Sequence, residues 1–310
     1  MQNIDIKDIS ISRLSLGTVQ LGLTYGVNKK HGKPSAEEAF AILNSALEGG
    51  VNCLDTAAAY GDSEVVIGKW LKTISEEKRP FVVTKIINLN HNSLEELRED
   101  VFAKVEASKE RLGLRKLPLV MLHHCEDYFG DERNVQQVFR ELKERGDICY
   151  SGISAYSHHD YGKLAEAGFD AIQIPINLFD WNQIENGGLE KLRKAGMRIF
   201  ARSIYLQGLI FQDPEQLEPH MDFCKETLYK FRGLCEKYAL SPAELAISYV
   251  LSVPGVTSLV LGCKRVDQVL ENVKLMERVK VLAEAQLSEI RECFLDTDAK
   301  VLNPGAWNKK

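Results

Sequence analysis

Short apolar runs rich in β-branched residues alternate with helix-patterned segments eight times along this chain, and no other feature restricts its fold so tightly. A strand, a helix and a further strand of the same direction make a βαβ unit, so the alternation predicts a parallel sheet. The runs fall near Leu14–Val19, Val51–Asp55, Phe81–Lys85, Leu119–His123, Ile148–Ser154, Ala171–Pro175, Arg198–Ser203 and Ser258–Gly262. A polar stretch before the first run predicts a short N-terminal hairpin, and the residues after the last run a C-terminal extension. Eight such units in 310 residues fit a closed (β/α)8 TIM barrel, which typically takes about 250. The rival, an open doubly wound sheet, lacks its dinucleotide fingerprint, because no G-x-G-x-x-G follows the first run. With no linker rich in Pro, Gly or Ser and no low-complexity tract, residues 1–310 read as one domain.

Helix punctuation supports the alternation. Ser35 with Glu38, Ser93 with Glu96, and Ser241-Pro242 with Glu244 each have the form of a capping box. Gly49-Gly50, Gly113, Gly146, Gly168 and Gly196 sit where helices should stop, since glycine enters the left-handed conformation without a Cβ clash. In the first long helix Phe40, Leu43 and Leu47 share a face that would pack on the barrel.

Composition narrows the function classes. At 45% hydrophobic residues and a net charge of -5, the chain reads as an ordinary globular protein, with no basic run suited to a phosphate backbone. Small molecules are the expected partners, not nucleic acid, and no oligomeric state can be read. No apolar window approaches the roughly 20 residues that span a bilayer, and no N-terminal stretch has the form of a signal peptide. A cytoplasmic location is therefore expected. The seven Cys are scattered without a CxxC pair, which predicts reduced thiols and no disulfide.

Strand interiors of a parallel barrel are buried, so polar residues that close apolar strands are candidates for its C-terminal, catalytic face. Asp55 closes the second run, Lys85 the third, His123 the fourth and Ser154 the fifth; Gln173 lies in the sixth, with Asn177 beyond. Singly, each has an ordinary reading: Asp55 as a cap, Lys85 as a snorkelling side chain, His123 as a hydrogen-bonded core histidine, Tyr60 as packing. The coincidence of an acid, a lysine and a histidine closing three successive strands, with Tyr60 in the loop after the first, favours a site. Reducing a carbonyl by hydride needs a proton donor, and a tyrosine near its reference pKa of about 10 is a weak one. A neighbouring Lys85 ammonium would lower that pKa, Asp55 would anchor the lysine, and His123 would orient the carbonyl. This chemistry needs no metal.

At these residues the chain resembles the aldo-keto reductase family, from about Leu14 to Asn272. L-D-T-A-A-A-Y-G-D-S-E-V-V-I-G, Leu54 to Gly68, is similar to the family's pattern around its catalytic Asp and Tyr; F-V-V-T-K, Phe81 to Lys85, and L-V-M-L-H-H, Leu119 to His124, are similar to the strands carrying its Lys and His. The resemblance implies a catalytic set of Asp55, Tyr60, Lys85 and His123. His124 competes for the last place, but strand alternation and the apolar run favour His123.

The resemblance also implies an extended nicotinamide cofactor across the barrel mouth. Gly17 and Thr18 would approach it, Asp55 would border the nicotinamide, and Ser154 and Gln173 would bind the carboxamide. L-G-C-K-R-V-D-Q-V-L-E-N, Leu261 to Asn272, resembles the adenosine-binding motif, bringing in Gly262, Gln268, Glu271 and Asn272. Lys264 and Arg265 would meet a 2′-phosphate, which favours NADP(H) over NAD(H). Two departures stand out: Ser154-Ala155 replaces the common Ser-Asn, and Ala201-Arg202-Ser203 puts Arg202, followed by Ser203, where many relatives place an aromatic under the nicotinamide.

The opening Leu16 to Asn28 and the tail Asn303 to Trp307 most resemble a bacterial branch associated with sugar and polysaccharide pathways. Tyr25, Phe129, Trp181 and Trp307, with Tyr60 and His123, are the expected substrate contacts, since aromatic walls with polar points suit a sugar ring. The implied activity is NAD(P)H-dependent interconversion of a carbonyl compound, sugar-like, with its alcohol. Two alternatives stay open: a nicotinamide-nucleotide-binding regulatory protein of the same fold, and a dehydrogenase oxidising an aldose or inositol.

Overall fold

The near-continuous apolar character of the eight runs has its cause in burial on both faces, inside a ring and beneath a shell of helices. The structure, a computed structural model, describes residues 1–6, 9–24, 32–89 and 91–307. Strands β1 (Asn3–Ile6) and β2 (Ile9–Ser12) form an antiparallel hairpin. Strands β3 (Leu14–Gly17), β4 (Cys53–Asp55), β5 (Phe81–Ile86), β6 (Leu117–Leu122), β7 (Ile148–Ser154), β8 (Ala171–Pro175), β9 (Arg198–Arg202) and β10 (Val256–Gly262) follow in chain order. They close a parallel barrel in the order β10-β3-β4-β5-β6-β7-β8-β9, the (β/α)8 architecture expected from the sequence.

Several strand ends differ from expectation. Val19 opens a short helix, Val19–Gly22, instead of extending β3, because the Thr18 N–H and hydroxyl both turn to the Asp55 carbonyl at 2.9 Å. Val51 and Asn52 precede β4; His123 and Ser203 lie one residue past β6 and β9, the latter at φ 61, outside any strand conformation. β6 and β10 begin earlier than predicted, at Leu117 and Val256, and β5 extends to Ile86.

Inside the ring Cys53, Val83, Leu119, Met121, Ala171 and Phe200 pack as one cluster, joined by Ile11 of the hairpin. Because β2 leads directly into the start of β3, this plug stops the N-terminal end and leaves the other end for chemistry. Gly152 makes room for the layer: a Cβ there would lie 2.8 Å from Met121 Cγ and 2.9 Å from the Ala171 carbonyl. Outside the ring, the helix Glu132–Glu144 buries Val135, Val138, Phe139 and Leu142, the spacing of one helical face. The expected face of Ala36–Glu48 also forms, with Leu43 buried and Phe40 and Leu47 partly so.

Ser35 with Glu38 and Ser241 with Glu244 are complete capping boxes. At Ser93 only half of the box forms: Ser93 caps the Glu96 N–H, but the Glu96 carboxylate accepts from the Asn92 N–H at 2.7 Å instead. Gly113, at φ 66, closes its helix in the left-handed conformation. After Ala36–Glu48 that conformation falls on Gly50, at φ 80, and not on Gly49. The C-terminal extension comprises the helices Glu284–Phe294 and Ala299–Leu302 and the turn Pro304–Trp307. All seven cysteines are free thiols, and among the described residues no helix is long and apolar enough to cross a membrane.

Candidate active site

The register of the ring brings the strand-closing polar residues together. Asp55 lies opposite Gly17 on one side and Val83 on the other, which sets Lys85 two residues further up β5. There the Lys85 ammonium donates to Asp55 Oδ1 at 2.6 Å and to the Thr56 carbonyl at 2.9 Å. Burial works against the charged lysine, but Asp55 and Tyr60 outweigh it and hold the ammonium above its ordinary pKa. The same Asp55 oxygen accepts from Gln173 Nε2 at 2.7 Å. Gln173, expected as a carboxamide ligand, thus has one of its two amide N–H groups engaged by Asp55.

Tyr60 sits in the turn after β4, its ring 5.1 Å from the Lys85 ammonium and edge-on to His123, with centroids 5.6 Å apart. The turn is held by contact of bare backbones: a Cβ on Gly22 would lie 1.7 Å from the Tyr60 carbonyl oxygen. The structure corrects one expectation about this phenol. Burial raises the Tyr60 pKa more than Lys85 lowers it, so the net displacement is upward and Tyr60 is a protonated donor at neutral pH. His123 follows β6, its N–H bonded to the Ile86 carbonyl at 2.9 Å. Burial, then the charges of Lys85, His124 and Arg202, push its pKa down to about 3, so the ring is neutral. Its Nδ1 is buried without a hydrogen-bond partner among the described residues. His124 stacks on His123 at 5.0 Å but is exposed and does not wall the cavity.

Tyr60, His123 and Asp55 line a cavity of about 660 Å³, with Lys85 in the layer beneath. That volume is in the range of small-molecule sites, about 300–1,000 Å³. Every expected cofactor contact lines it too: Gly17 and Thr18 from the end of β3, Ser154 from β7, Gln173 from β8, and Arg202 with Ser203 from the end of β9. Gly262, Lys264, Arg265, Gln268, Glu271 and Asn272 supply the wall beyond β10. Gly17 pairs with Gly262 across the β3–β10 seam, giving a floor of backbone. A Cβ on Gly262 would lie 2.4 Å from Gln20 Nε2, and Gln20 Oε1 is buried with no partner among the described residues. An extended dinucleotide fits such a groove, with bare backbone on one wall and amides and cations at its end.

Arg265 is forked onto Asp267, at 2.9 and 2.7 Å, and the Lys264 N–H is held by Gln268 Oε1 at 2.8 Å. Asn272 Nδ2 donates to Cys263 Sγ at 3.3 Å.

The expected aromatic substrate wall is corrected. Tyr25 lies outside the described residues. Phe129, Trp181 and Trp307 do not line the cavity, because neighbouring packing consumes them. Phe129 packs on Tyr128; Trp181 is 7% exposed, bonded to the Leu178 carbonyl at 2.9 Å and packed on Tyr249; Trp307 bonds to the Lys300 carbonyl at 2.7 Å. Tyr156, Tyr205 and Phe211 line the cavity instead. Tyr156 stands two residues beyond Ser154, where a barrel's functional loops begin, and that position was the signal available in the sequence. Next to it Cys125, Glu126 and His159 bring three ligand-type atoms within 4.8 Å of one another. The His159 ring has its protonation assigned: Nδ1 accepts from the Tyr156 N–H at 2.9 Å, so Nε2 carries the proton and donates to Glu126 at 3.0 Å. The group braces Tyr156 at the rim, and a cation would have to displace that proton.

A closed parallel barrel with a polar cluster and a long groove at its C-terminal rim places the chain among barrel oxidoreductases. It belongs to the Aldo/keto reductase family, whose sequence profile matches residues 13–294. Members of this family use nicotinamide cofactors. D-arabinose 1-dehydrogenase of Saccharomyces cerevisiae is 27% identical, over 86% of this chain and 84% of its own. NADH-specific methylglyoxal reductase of Escherichia coli is 27% identical, over 86% and 90%. The holo form of aldo-keto reductase AKR11C1 from Bacillus halodurans shares the fold at a TM-score of 0.74 and 23% identity, over 95% and 96%.

Proposed function

We propose that this protein reduces the carbonyl group of a small molecule, sugar or sugar-like, to the alcohol with NADP(H) in the cytoplasm. The observation that carries the reading is the gathering of Tyr60, His123 and the buried Lys85–Asp55 pair at one end of the groove. A bound reduced dinucleotide supplies the hydride to the carbonyl carbon. Tyr60 gives its hydroxyl proton to the carbonyl oxygen, and the phenolate left behind is stabilised by the Lys85 ammonium until solvent returns a proton. Asp55 fixes Lys85, and neutral His123 offers a ring N–H to the carbonyl without adding charge. One carbonyl, one hydride and one proton give one alcohol. The same residues run the reverse reaction, and the yeast relative is named as a dehydrogenase.

Lys264 and Arg265 at the far wall support NADP(H) over NAD(H), since a 2′-phosphate favours a planar guanidinium. Arg265 reaches it by exchanging Asp267 for the phosphate. The E. coli relative is named for NADH, and the preference proposed for this chain rests on Lys264 and Arg265 alone. The test is oxidation of NADPH and NADH in the presence of aldehydes, ketones and aldoses. Turnover with NADPH is expected; tight cofactor binding with no turnover on any carbonyl would favour a nucleotide-binding regulatory protein.

A further inference from the structure

Arg202 stands where the resemblance expects the nicotinamide, and its charge is not used by the chemistry above. It closes β9 opposite Pro175, and its own carbonyl accepts from the Ile176 N–H at 3.0 Å, so its backbone is fixed in the ring. The guanidinium lies over the Tyr156 ring, 4.5 Å from its centroid, and donates to the Ala155 carbonyl at 3.2 Å and to Ser203 Oγ at 3.3 Å. A guanidinium has five N–H donors, and these two contacts leave most of them unused. Among the described residues no carboxylate forms an ion pair with it, although it lines the cavity beside Tyr60 and His123.

The other charges at this end of the groove cancel. Lys85 is matched by Asp55 at 2.6 Å, and His123 is neutral. Arg202 is close enough to Tyr60, Lys85 and His123 for its charge to act on each of them. Among the described residues, the reacting end therefore holds one uncompensated positive charge, on a rigid planar group with spare donors. A partly desolvated cation of that kind is stabilised by an oxyanion, and carboxylate or phosphate matches its fork. The phosphates of a dinucleotide have their own candidates in Lys264 and Arg265, at the wall beyond β10.

We propose that Arg202 is a substrate-recognition residue, and that the preferred substrate is an anionic carbonyl compound whose carboxylate or phosphate seats on this guanidinium while its C=O meets Tyr60 and His123. The inference rests on the reduction proposed above; the anion itself is unchanged in the reaction. Tyr156 forms the other face of the seat, stacked on the guanidinium and braced through its N–H by His159.

The test uses matched substrates that differ only in the anion: D-glucuronate against D-glucose, and D-glyceraldehyde 3-phosphate against D-glyceraldehyde, each with NADPH. A charge-assisted contact predicts kcat/KM favouring the anionic member by roughly 10- to 100-fold in at least one pair. The pair that shows it identifies the oxyanion as carboxylate or phosphate. Arg202→Met should bring the anionic-to-neutral ratio of kcat/KM within that pair close to one, whatever cofactor-related loss the two members share, and Arg202→Lys should restore part of the ratio. Equal rates within both pairs in the wild type, or an Arg202→Met loss shared equally by both members, would overturn the proposal. If no carbonyl is reduced at all, the reduction reading fails separately. Calorimetric titration of the NADPH complex with glucuronate and glyceraldehyde 3-phosphate then decides Arg202: binding lost in Arg202→Met supports the seat, and no binding in the wild type removes it.

Discussion

The Lys85 ammonium meets the Asp55 carboxylate at 2.6 Å with side-chain exposures of 0% and 4%, so neither charge has water to fall back on. Removing one partner strands the other in the interior, which costs about 3–5 kcal/mol. Asp55→Asn and Lys85→Met should each lower the unfolding free energy read from urea curves by that margin, and the double variant should recover part of it. Additive losses in the double variant would show that the two charges do not depend on each other.

Tyr60→Phe keeps the ring against His123 and removes the hydroxyl alone. Turnover should fall by about 10²- to 10⁴-fold, the usual contribution of a positioned proton donor, while NADPH affinity hardly moves. Normal turnover in this variant would reassign the donor.

His123 stays neutral at physiological pH because its pKa lies at about 3 in the fold, against 6.5 ordinarily. As pH falls through 6.5 the unfolded chain takes up a proton that the folded chain refuses, so stability present above 6.5 is lost toward pH 3. The slope from this one ring is at most about 1.4 kcal/mol per pH unit. Urea midpoints at pH 7 and pH 5 should therefore decline less in His123→Gln than in the wild type. Parallel declines would show that the ring titrates normally.

Arg265 and Asp267 form an exposed ion pair, 51% and 66% accessible, which is worth little by itself. Arg265→Ala should weaken NADPH binding by about 10- to 100-fold and leave NADH nearly unchanged. Asp267→Asn should strengthen NADPH binding by freeing the guanidinium. Fluorescence titration reads both, and equal changes for the two nucleotides would remove Arg265 from phosphate recognition.

Gly22→Ala drives a methyl to within 1.7 Å of the Tyr60 carbonyl oxygen, a backbone atom with no rotamer to yield. Overpacking of this kind costs about 1–3 kcal/mol, and this contact belongs at or above the top of that range. Both the melting temperature and turnover should drop, because the displaced turn carries Tyr60. Unchanged turnover would mean that the position of the Tyr60 loop is not critical.

The barrel was legible because burial on both faces makes parallel strands conspicuous, and its rim because Asp55, Lys85 and His123 interrupt apolar runs at their ends. Chain order alone says nothing of which loop aromatics packing will claim. Phe129, Trp181 and Trp307 look the same in sequence as Tyr156 and Phe211, yet only the latter two reach the cavity. The net upward displacement of the Tyr60 pKa is hidden from sequence for a related reason: a neighbouring ammonium can be read from strand register, but desolvation depends on everything that surrounds the phenol. The Gly22 contact with Tyr60 was invisible as well, since it joins two loops through backbone atoms that no side-chain pattern records.

The seam between β3 and β10 couples ligand capture to closure of the ring. Ser15 and Ser258, 243 residues apart, share a hydrogen bond of 2.7 Å between their hydroxyls, and the Gly17–Gly262 floor lies at the top of the same seam. On the ribosome β3 waits for β10, whose Ser258 lies 243 residues beyond Ser15, before it gains that neighbour, and only then does the groove acquire its second wall. Copies that end before β10 thus lack that wall, and the stabilisation that a ligand of this groove confers falls on molecules whose ring has closed.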